Sequence, residues 1–383
     1  MTGPGSESRP LRVVAIEPSG RLYGSEYCLF DVIQGTRGRC FDWSVISTEG
    51  LGFSRLLDEN GIRQVPALLP NLHRASRGRK LVQYVNLLMQ VRRLQPDLIY
   101  VNQAGVLRAA GVICRLLNVP GVCQVQTLED ARLLGTKRIE CSQIKAFICN
   151  SDFIADNTAV PAERKCVLYQ GVQGSPQYCP RHISGTGPLS LGIIGRISES
   201  KGHYLLLRAV ALLRSVMRIR VRVIGEGFTA GDTAAFQRAV AEVGLQDMFE
   251  FRGYRRDLRT EFSALDLLLI PSLAEPLGRV LFDAAHFGVP AIVADSGGLG
   301  EIAGMYDVGE RFAAGNAEDL ASCITRCSEN LSAVTDRFRL QSGGMIRSLD
   351  MAAYLNAVEK ILREAAERRD CRVRWQGSPG EGL

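Results

Sequence analysis

A chain of 383 residues is longer than one hydrophobic core comfortably organises, so two domains are expected. Its 46% apolar and 22% charged residues are those of a folded globular protein. A formal charge of +6, with no zinc finger or RNP-like aromatic motif, excludes a typical nucleic-acid binder, and no run of about 18 apolar residues exists to cross a bilayer.

The opening MTGPGSESRP lacks the apolar core of an export signal, so a cytoplasmic location is expected. The 11 cysteines are odd in number and scattered through apolar runs such as KAFICN, without a CxxC. Cys323 and Cys327 stand four apart on a predicted helix with no His nearby to complete a zinc set, so the cysteines read as buried thiols.

Residues 1–10 read as a frayed tail. LRVVAI (11–16), DWSVI (42–46), DLIYV (97–101), VCQVQ (122–126) and KAFICN (145–150) are predicted buried strands. Helical SEYCLFDVIQ, KLVQYVNLLMQVRRL and AGVLRAAGVICRLL fall between them. Repeated β-α units imply a parallel sheet covered by helices, a first domain over 11–180. Within it, the basic stretch HRASRGRK (73–80) and the apolar-basic helix that follows could touch anionic lipid. A solvated face is the plainer reading.

GVQGSPQYCPRHISGTGP (171–188) is the best linker in the chain. The alternation then restarts over 187–348. LSLGIIG (189–195), IRVRVIG (219–225), DLLLIPS (266–272) and PAIVAD (290–295) are strands; LLLRAVALLRSV, TAAFQRAVAEVG and RVLFDAAHFG are helices. MAAYLNAVEKILREAAERR (351–369) is the last helix, and 370–383 a second frayed tail. The expected architecture is two doubly wound domains facing a cleft, with ligands at the carboxyl ends of the strands.

Four strand ends could carry chemistry. In GIIGRISESKG (192–202), Gly195 permits close backbone approach, and Arg196 and Lys201 would suit a diphosphate. A solvated basic loop is the plain alternative, and GxxxxGK[ST] is absent. VIGEGF (223–228), with Gly225, Glu226 and Gly227, is weak alone but opens at the same end of the sheet. In EPLGRVLFD, Pro276 is placed as the first residue of a helix with Glu275 just outside, so amides near Leu277 and Gly278 would be open to an anion or sugar oxygen. Along that helix Glu275 and Asp283 would stand about 12 Å apart. Glycosidase carboxyls stand roughly 5–9.5 Å apart, so the spacing suits two ends of one ligand. DSGGLGE (295–301) adds a Gly pair, with Glu301 at the start of a further helix. The histidines, His203 and His286 among them, read as structural or exposed.

The ordered set GRISESKG, VIGEG, FRGY and ALDLLLIPSLAEPLGRVLFDAAHFGVPAIVADSGGLGE resembles the carboxyl-terminal domain of retaining glycosyltransferases with the GT-B fold, glycosyltransferase family 4. It covers 190–345 well; in the first half GRLYGSEYCLFDVI, DLIYVN, ICNSDFIADN and VLYQGVQ follow in family-like order. The resemblance implies a GT-B fold whose final helix (350–369) crosses back to the first domain. It implies sugar transfer from a nucleotide diphosphate-sugar with retained anomeric configuration, the donor being a co-substrate, with no cofactor and no metal. The acceptor is a sugar, a lipid-linked group or a small molecule. By resemblance Arg196 and Lys201 stabilise the departing diphosphate, Glu275 holds sugar hydroxyls, and Leu277, Gly278, Arg279 and Val280 meet sugar and phosphate oxygens. Position 283 takes the ribose, FRGYRRD with Tyr254 flanks the base, and Gly24 lets the first domain close on the diphosphate.

Two positions depart from the family pattern. Asp283 stands where Glu is usual, and Gln126 or Thr127 stands where many members carry a His that reaches the sugar. Gln cannot relay a proton at neutral pH. Front-face attack, with the leaving phosphate taking the acceptor's proton, remains compatible. The rivals are an epimerase or phosphorylase on the same fold, and a non-catalytic member that only binds a nucleotide-sugar.

Overall fold

The structure, a computed structural model, describes residues 9–38, 40–67, 69, 77–136, 141–179, 187–371 and 373–375. Residues 73–76 of the basic stretch, 180–186 of the linker and most of both tails lie outside them. In chain order the elements are β1 (Leu11–Glu17), α1 (Gly24–Thr36), β2 (Phe41–Ser47), α2 (Gly52–Glu59), β3 (Arg63–Pro66), α3 (Arg77–Leu94), β4 (Leu98–Val101), α4 (Leu107–Leu117), β5 (Gly121–Val125), α5 (Leu128–Thr136), β6 (Ile144–Cys149), α6 (Asp152–Asp156) and β7 (Lys165–Leu168). They continue as β8 (Leu189–Ile194), α7 (His203–Leu213), β9 (Ile219–Ile224), α8 (Ala230–Glu242), β10 (Phe249–Gly253), α9 (Arg259–Ser263), β11 (Leu267–Ile270), α10 (Arg279–Phe287), β12 (Ala291–Asp295), α11 (Gly297–Met305), β13 (Glu310–Ala313), α12 (Ala317–Glu329), α13 (Leu331–Ser348), α14 (Met351–Ala366) and β14 (Arg374–Trp375).

Two compact units result. One holds the chain up to Gly171 and again from Met351; the other runs from Val172 to Asp350. The boundary falls at the start of the predicted Gly/Pro-rich linker.

In the first unit the sheet order is β14-β7-β6-β5-β4-β1-β2-β3, with every ladder parallel. β1 and β4 are neighbours although not consecutive, so the strand order reverses between them. Helix α14 returns to this unit because its Tyr354, Val358, Ile361, Leu362 and Ala365 bury against α1 and the sheet. Each large apolar side chain among them contributes about 1.5–3 kcal/mol. Gly35 makes the approach possible: a Cβ there would stand 2.2 Å from Leu355 Cδ1. A buried polar chain fixes the seat, with Tyr100 Oη donating to Gln124 Oε1 and Gln124 Nε2 donating to Cys28 Sγ at 3.2 Å. Tyr354 Oη lies 3.4 Å from the same sulfur.

In the second unit the order is β10-β9-β8-β11-β12-β13, again all parallel between named strands. The reversal falls between β8 and β11. Open parallel sheets bind ligands beside such a reversal, outside the carboxyl ends of the strands. Nine of the 11 cysteines are buried and two half-buried, all as free thiols. The α14 helix ends at Ala366, three residues before the predicted limit, where Arg368 turns left-handed at φ +62°.

Candidate active site

The site of the second unit is assembled by loops that press backbone against backbone. Leaving β8, Gly195 has φ +142°, and a Cβ there would meet nothing within 4 Å. Its amide donates to Ile224 O at 2.9 Å and Ile197 N donates to Glu226 O at 2.9 Å, so the loop after β8 is sewn to the loop after β9. Gly225 N in turn donates to Gly253 O at 2.9 Å, and Glu226 Oε1 accepts from Tyr254 N at 3.3 Å. Three adjacent strand ends therefore share one hydrogen-bonded rim carrying Arg196, Glu226 and Tyr254. The Arg196 guanidinium lies over the Phe228 ring, 5.4 Å from its centroid. The Tyr254 side chain is exposed. Gly227 N donates to Thr233 Oγ1 at 2.9 Å, which seats this rim on α8.

The loop after β8 also meets the loop after β11. Leu273 N donates to Ser200 O at 2.9 Å, and the site a Cβ of Gly202 would fill lies 2.0 Å from Pro271 O. This contact brings Lys201 to Glu275: Nζ stands 2.6 Å from Oε2. The Glu275 side chain is mostly buried and that of Lys201 more than a third exposed. The pair lines an indentation of about 280 Å³, open to solvent, with Ile194, Ile270, Gly278 and Val280. The indentation lies where β8 and β11 reverse the strand order.

Pro276 is not the first helical residue. Helix α10 begins at Arg279, with Gly278 as its N-cap at φ +89°. Leu277 and Gly278 are thus in the preceding loop, and the helix's first-turn amides belong to Arg279 and Val280. The reason is tertiary. Glu275 O accepts from Gly298 N at 2.8 Å, the Leu277 side chain is buried, and a Cβ on Gly278 would stand 2.6 Å from Leu299 Cδ1. These contacts pin residues 275–278 to the start of α11 and hold them out of the helix. They also explain DSGGLGE: the backbone that approaches Gly297 is Glu275's own, 2.4 Å from where a Cβ would be. Glu301 lies in the middle of α11 rather than at its start. The straight helical spacing from Glu275 to Asp283 no longer applies, since only Asp283 is in α10.

Asp283 is half-buried in the second turn of α10. Burial pushes its carboxyl up to about 6, and the Arg279 guanidinium pulls the other way. His203 is buried, with Nδ1 accepting from the Ser198 amide; desolvation first, and the Lys201 charge with it, lower it to about 4. Its neutral ring packs edge-on against Phe236 and does structural work.

In the first unit Gly24 is the exposed first residue of α1. Gln126 is buried, its Nε2 donating to Asn102 Oδ1 at 3.3 Å. Thr127 is exposed at the start of α5, where its Oγ1 accepts from Asp130 N at 3.0 Å as a helix cap.

Sequence reasoning missed a cluster beside the β1/β4 reversal. Glu17 and Glu26 are both fully buried. Glu17 accepts from Ser19 N at 2.7 Å and from Asn102 Nδ2; Glu26 accepts from Ser19 Oγ, from Tyr23 N at 2.9 Å and from Gln103 Nε2 at 3.1 Å. Burial first, then the Glu26 charge, raise the Glu17 carboxyl to about 8, so the pair retains a proton at neutral pH. The only sequence signal was a Glu ending an apolar strand. The raised value has a definite sign: the stability contributed by neutral Glu17 is full below its ordinary 4.5 and is lost as pH climbs through about 8. Glu17→Gln should therefore lose less stability than the parent between about pH 5 and pH 9 in paired urea melts. Parallel pH profiles would show that Glu17 is ionised in the folded protein.

Two family models match the chain: "Glycosyltransferase Family 4" over residues 23–173 and "Glycosyl transferases group 1" over residues 181–338. The chain is a GT-B glycosyltransferase of the family 4 group. Its fold is shared with Anabaena Alr3699/HepE solved in complex with UDP-glucose, at a TM-score of 0.79 and 20% identity over 92% of this chain and 100% of that one. A sucrose-phosphate synthase from Thermosynechococcus elongatus gives 0.72 at 15% identity, over 94% of this chain and 100% of that one. Among curated relatives, a 2-deoxystreptamine glucosyltransferase from Streptomyces kanamyceticus is 33% identical over 156 residues, 40% of this chain and 39% of the relative. A D-inositol 3-phosphate glycosyltransferase from Corynebacterium aurimucosum is 26% identical over 66% of this chain and 62% of its own length. The chain spans about two fifths of the length of the first curated relatives it matches.

Among the described residues no helix is long and apolar enough to cross a membrane, and no group of three or more His, Cys, Asp or Glu could hold a metal ion.

Proposed function

We propose that this GT-B glycosyltransferase moves a sugar from a nucleotide diphosphate-sugar to an acceptor hydroxyl with retention of the anomeric configuration. The observation that carries the reading is the meeting of Lys201 and Glu275 at the β8/β11 reversal, on a loop after β8 that also bears Arg196 and leaves Gly195 open to approach. Arg196 offers a planar donor fork and Lys201 a point charge to the diphosphate; Glu275 accepts from sugar hydroxyls. The bond between the anomeric carbon and the phosphate oxygen breaks, and the diphosphate keeps the electron pair. The acceptor oxygen bonds to the same face of that carbon, and its proton passes to the departing phosphate oxygen. Arg196 and Lys201 stabilise the charge that develops on that phosphate, which is where such sites gain most of their rate. The α10 amides of Arg279 and Val280 assist at the diphosphate. The reading needs neither a metal nor a further cofactor.

Asp283 takes the ribose hydroxyls in its ionised form. With its carboxyl raised to about 6, donor affinity falls as pH drops through that value.

A thermal-shift screen of UDP-, GDP- and ADP-sugars tests the reading. The matching donor, at about one hundred times its dissociation constant, stabilises by about 2.7 kcal/mol. HepE was solved with UDP-glucose, which makes that sugar the first to try. If no nucleotide-sugar moves the melting point, the donor assignment is wrong. Calorimetry on Asp283→Glu should show donor affinity kept or tightened, because the longer arm regains one methylene of reach. A large loss would remove Asp283 from the ribose.

A further inference from the structure

The charge of the chain is concentrated in one place. Between Glu59 and Glu129 stand nine Lys or Arg and a single acid, Asp97. The remainder of the chain is therefore net acidic by two, although the whole is +6. Asp97 is occupied at the foot of the sheet by Arg9, which it meets at 2.9 Å, and by the amide of Arg12.

Helices α3 and α4, which pack side by side, fill most of this stretch, and neither contains an Asp or Glu. Each buries one apolar face: Leu87 and Val91 of α3, and Leu107, Ile113 and Cys114 of α4. Each also carries a second apolar set, turned to solvent. On α3 these are Leu81, Val82, Val85 and Met89; on α4 they are Val112 and Leu116. Their exposure runs from 37% to 69%, high for aliphatic side chains grouped together. At about 100° per residue the α3 set occupies an arc of about 100°, and Arg92 falls within it with Arg93 at its edge. On α4, Arg108 stands one turn before Val112, and Arg115 flanks Leu116. All four arginines are exposed.

We propose that the joint α3/α4 face seats on an anionic lipid surface. The aliphatic set enters the headgroup boundary while Arg92, Arg93, Arg108 and Arg115 meet lipid phosphates, the division of labour of an interfacial helix. The charge argues against the nearest alternative. A second copy docking by the same face would set these arginines against their own kind across a two-fold axis. A neutral apolar partner would offer them no opposite charge. An anionic bilayer satisfies both halves of the face. The contact is assigned to α3 and α4; residues 73–76 lie outside the described residues.

The test is co-sedimentation of the full chain with phosphatidylcholine vesicles, with and without phosphatidylglycerol, at low and high salt. Binding should require phosphatidylglycerol and weaken with salt. Arg92→Gln with Arg93→Gln should weaken it roughly tenfold or more. Val82→Gln with Val85→Gln and Met89→Gln should do the same, and both variants should melt like the parent because the altered side chains are exposed. No binding, equal binding to neutral vesicles, or unchanged binding by both variants overturns the proposal. So does a concentration-dependent dimer that the same substitutions abolish. Vesicle binding needs no donor, so its outcome is separate from that of the thermal-shift screen.

Discussion

Lys201→Ala should lower kcat for sugar transfer by about a hundred- to a thousandfold, the usual effect of removing one preorganised partner of a developing charge. The same change should cost folding stability only about 1 kcal/mol, because the Lys201–Glu275 pair is partly exposed on the lysine side and screened by solvent. That contrast separates catalysis from structure. A lysine serving only to neutralise Glu275 would show the reverse, a lower melting point with turnover nearly intact. Lys201→Arg is a further probe. It keeps the charge but replaces a movable ammonium with a broad planar fork in a narrow indentation, so a substantial loss of kcat should persist. A kcat within about tenfold of the parent for Lys201→Ala would remove this residue from the departing phosphate.

Gly225→Ala should destabilise the second unit by more than about 3 kcal/mol. Two costs combine. The residue sits at φ +137°, a region that L side chains rarely adopt, and an added Cβ would stand 2.0 Å from the Gly195 carbonyl oxygen. That oxygen belongs to backbone held by strand-end hydrogen bonds and has little room to retreat. Gly195→Ala is the matched comparison. Its φ is +142°, but its Cβ would meet open space, so it should cost only the conformational part, about 1–3 kcal/mol. Urea melts of the two variants measure the difference. Equal melts would mean that the contact between the two loops is not what Gly225 serves.

The two glycines show how far sequence reading reached at the site. GIIGR read as a place where a ligand could approach the backbone, and VIGEG as a weaker Gly pair opening at the same end of the sheet. Only Gly195 keeps that approach open; at Gly225 the space is taken by the neighbouring loop. A glycine in a sequence signals close approach or positive φ, but not which body approaches. The same holds for Gly297, where the visitor is the Glu275 backbone. The start of α10 was misplaced for a related reason. Pro276 is well suited to a first helical turn, yet the Glu275 carbonyl is bonded to Gly298 N and Gly278, at φ +89°, lies against Leu299, which holds this segment out of the helix.

The strands β1, β2, β4, β5, β6, β8, β9, β11 and β12 are dominated by apolar residues and could be read directly from the chain, even where Arg alternates along β9 (IRVRVI). The strands not read, among them β3, β7, β10 and β13, are short or interrupted by charge, as in RQVP and ERFA. Pattern alone could not separate them from loops, because their pairing depends on a neighbour supplied elsewhere in the sequence. The sequence by itself thus determined the α/β plan, the GT-B resemblance and the residue types at each strand end, since these follow from local periodicity and ordered motifs. Only the tertiary structure decided which of those residues meet. Lys201 reaches Glu275 across 74 positions because two loops share a backbone hydrogen bond, and Glu17 keeps its proton because it is buried with Glu26 beside it. Both are effects of distance and desolvation, quantities that exist only once the chain has folded.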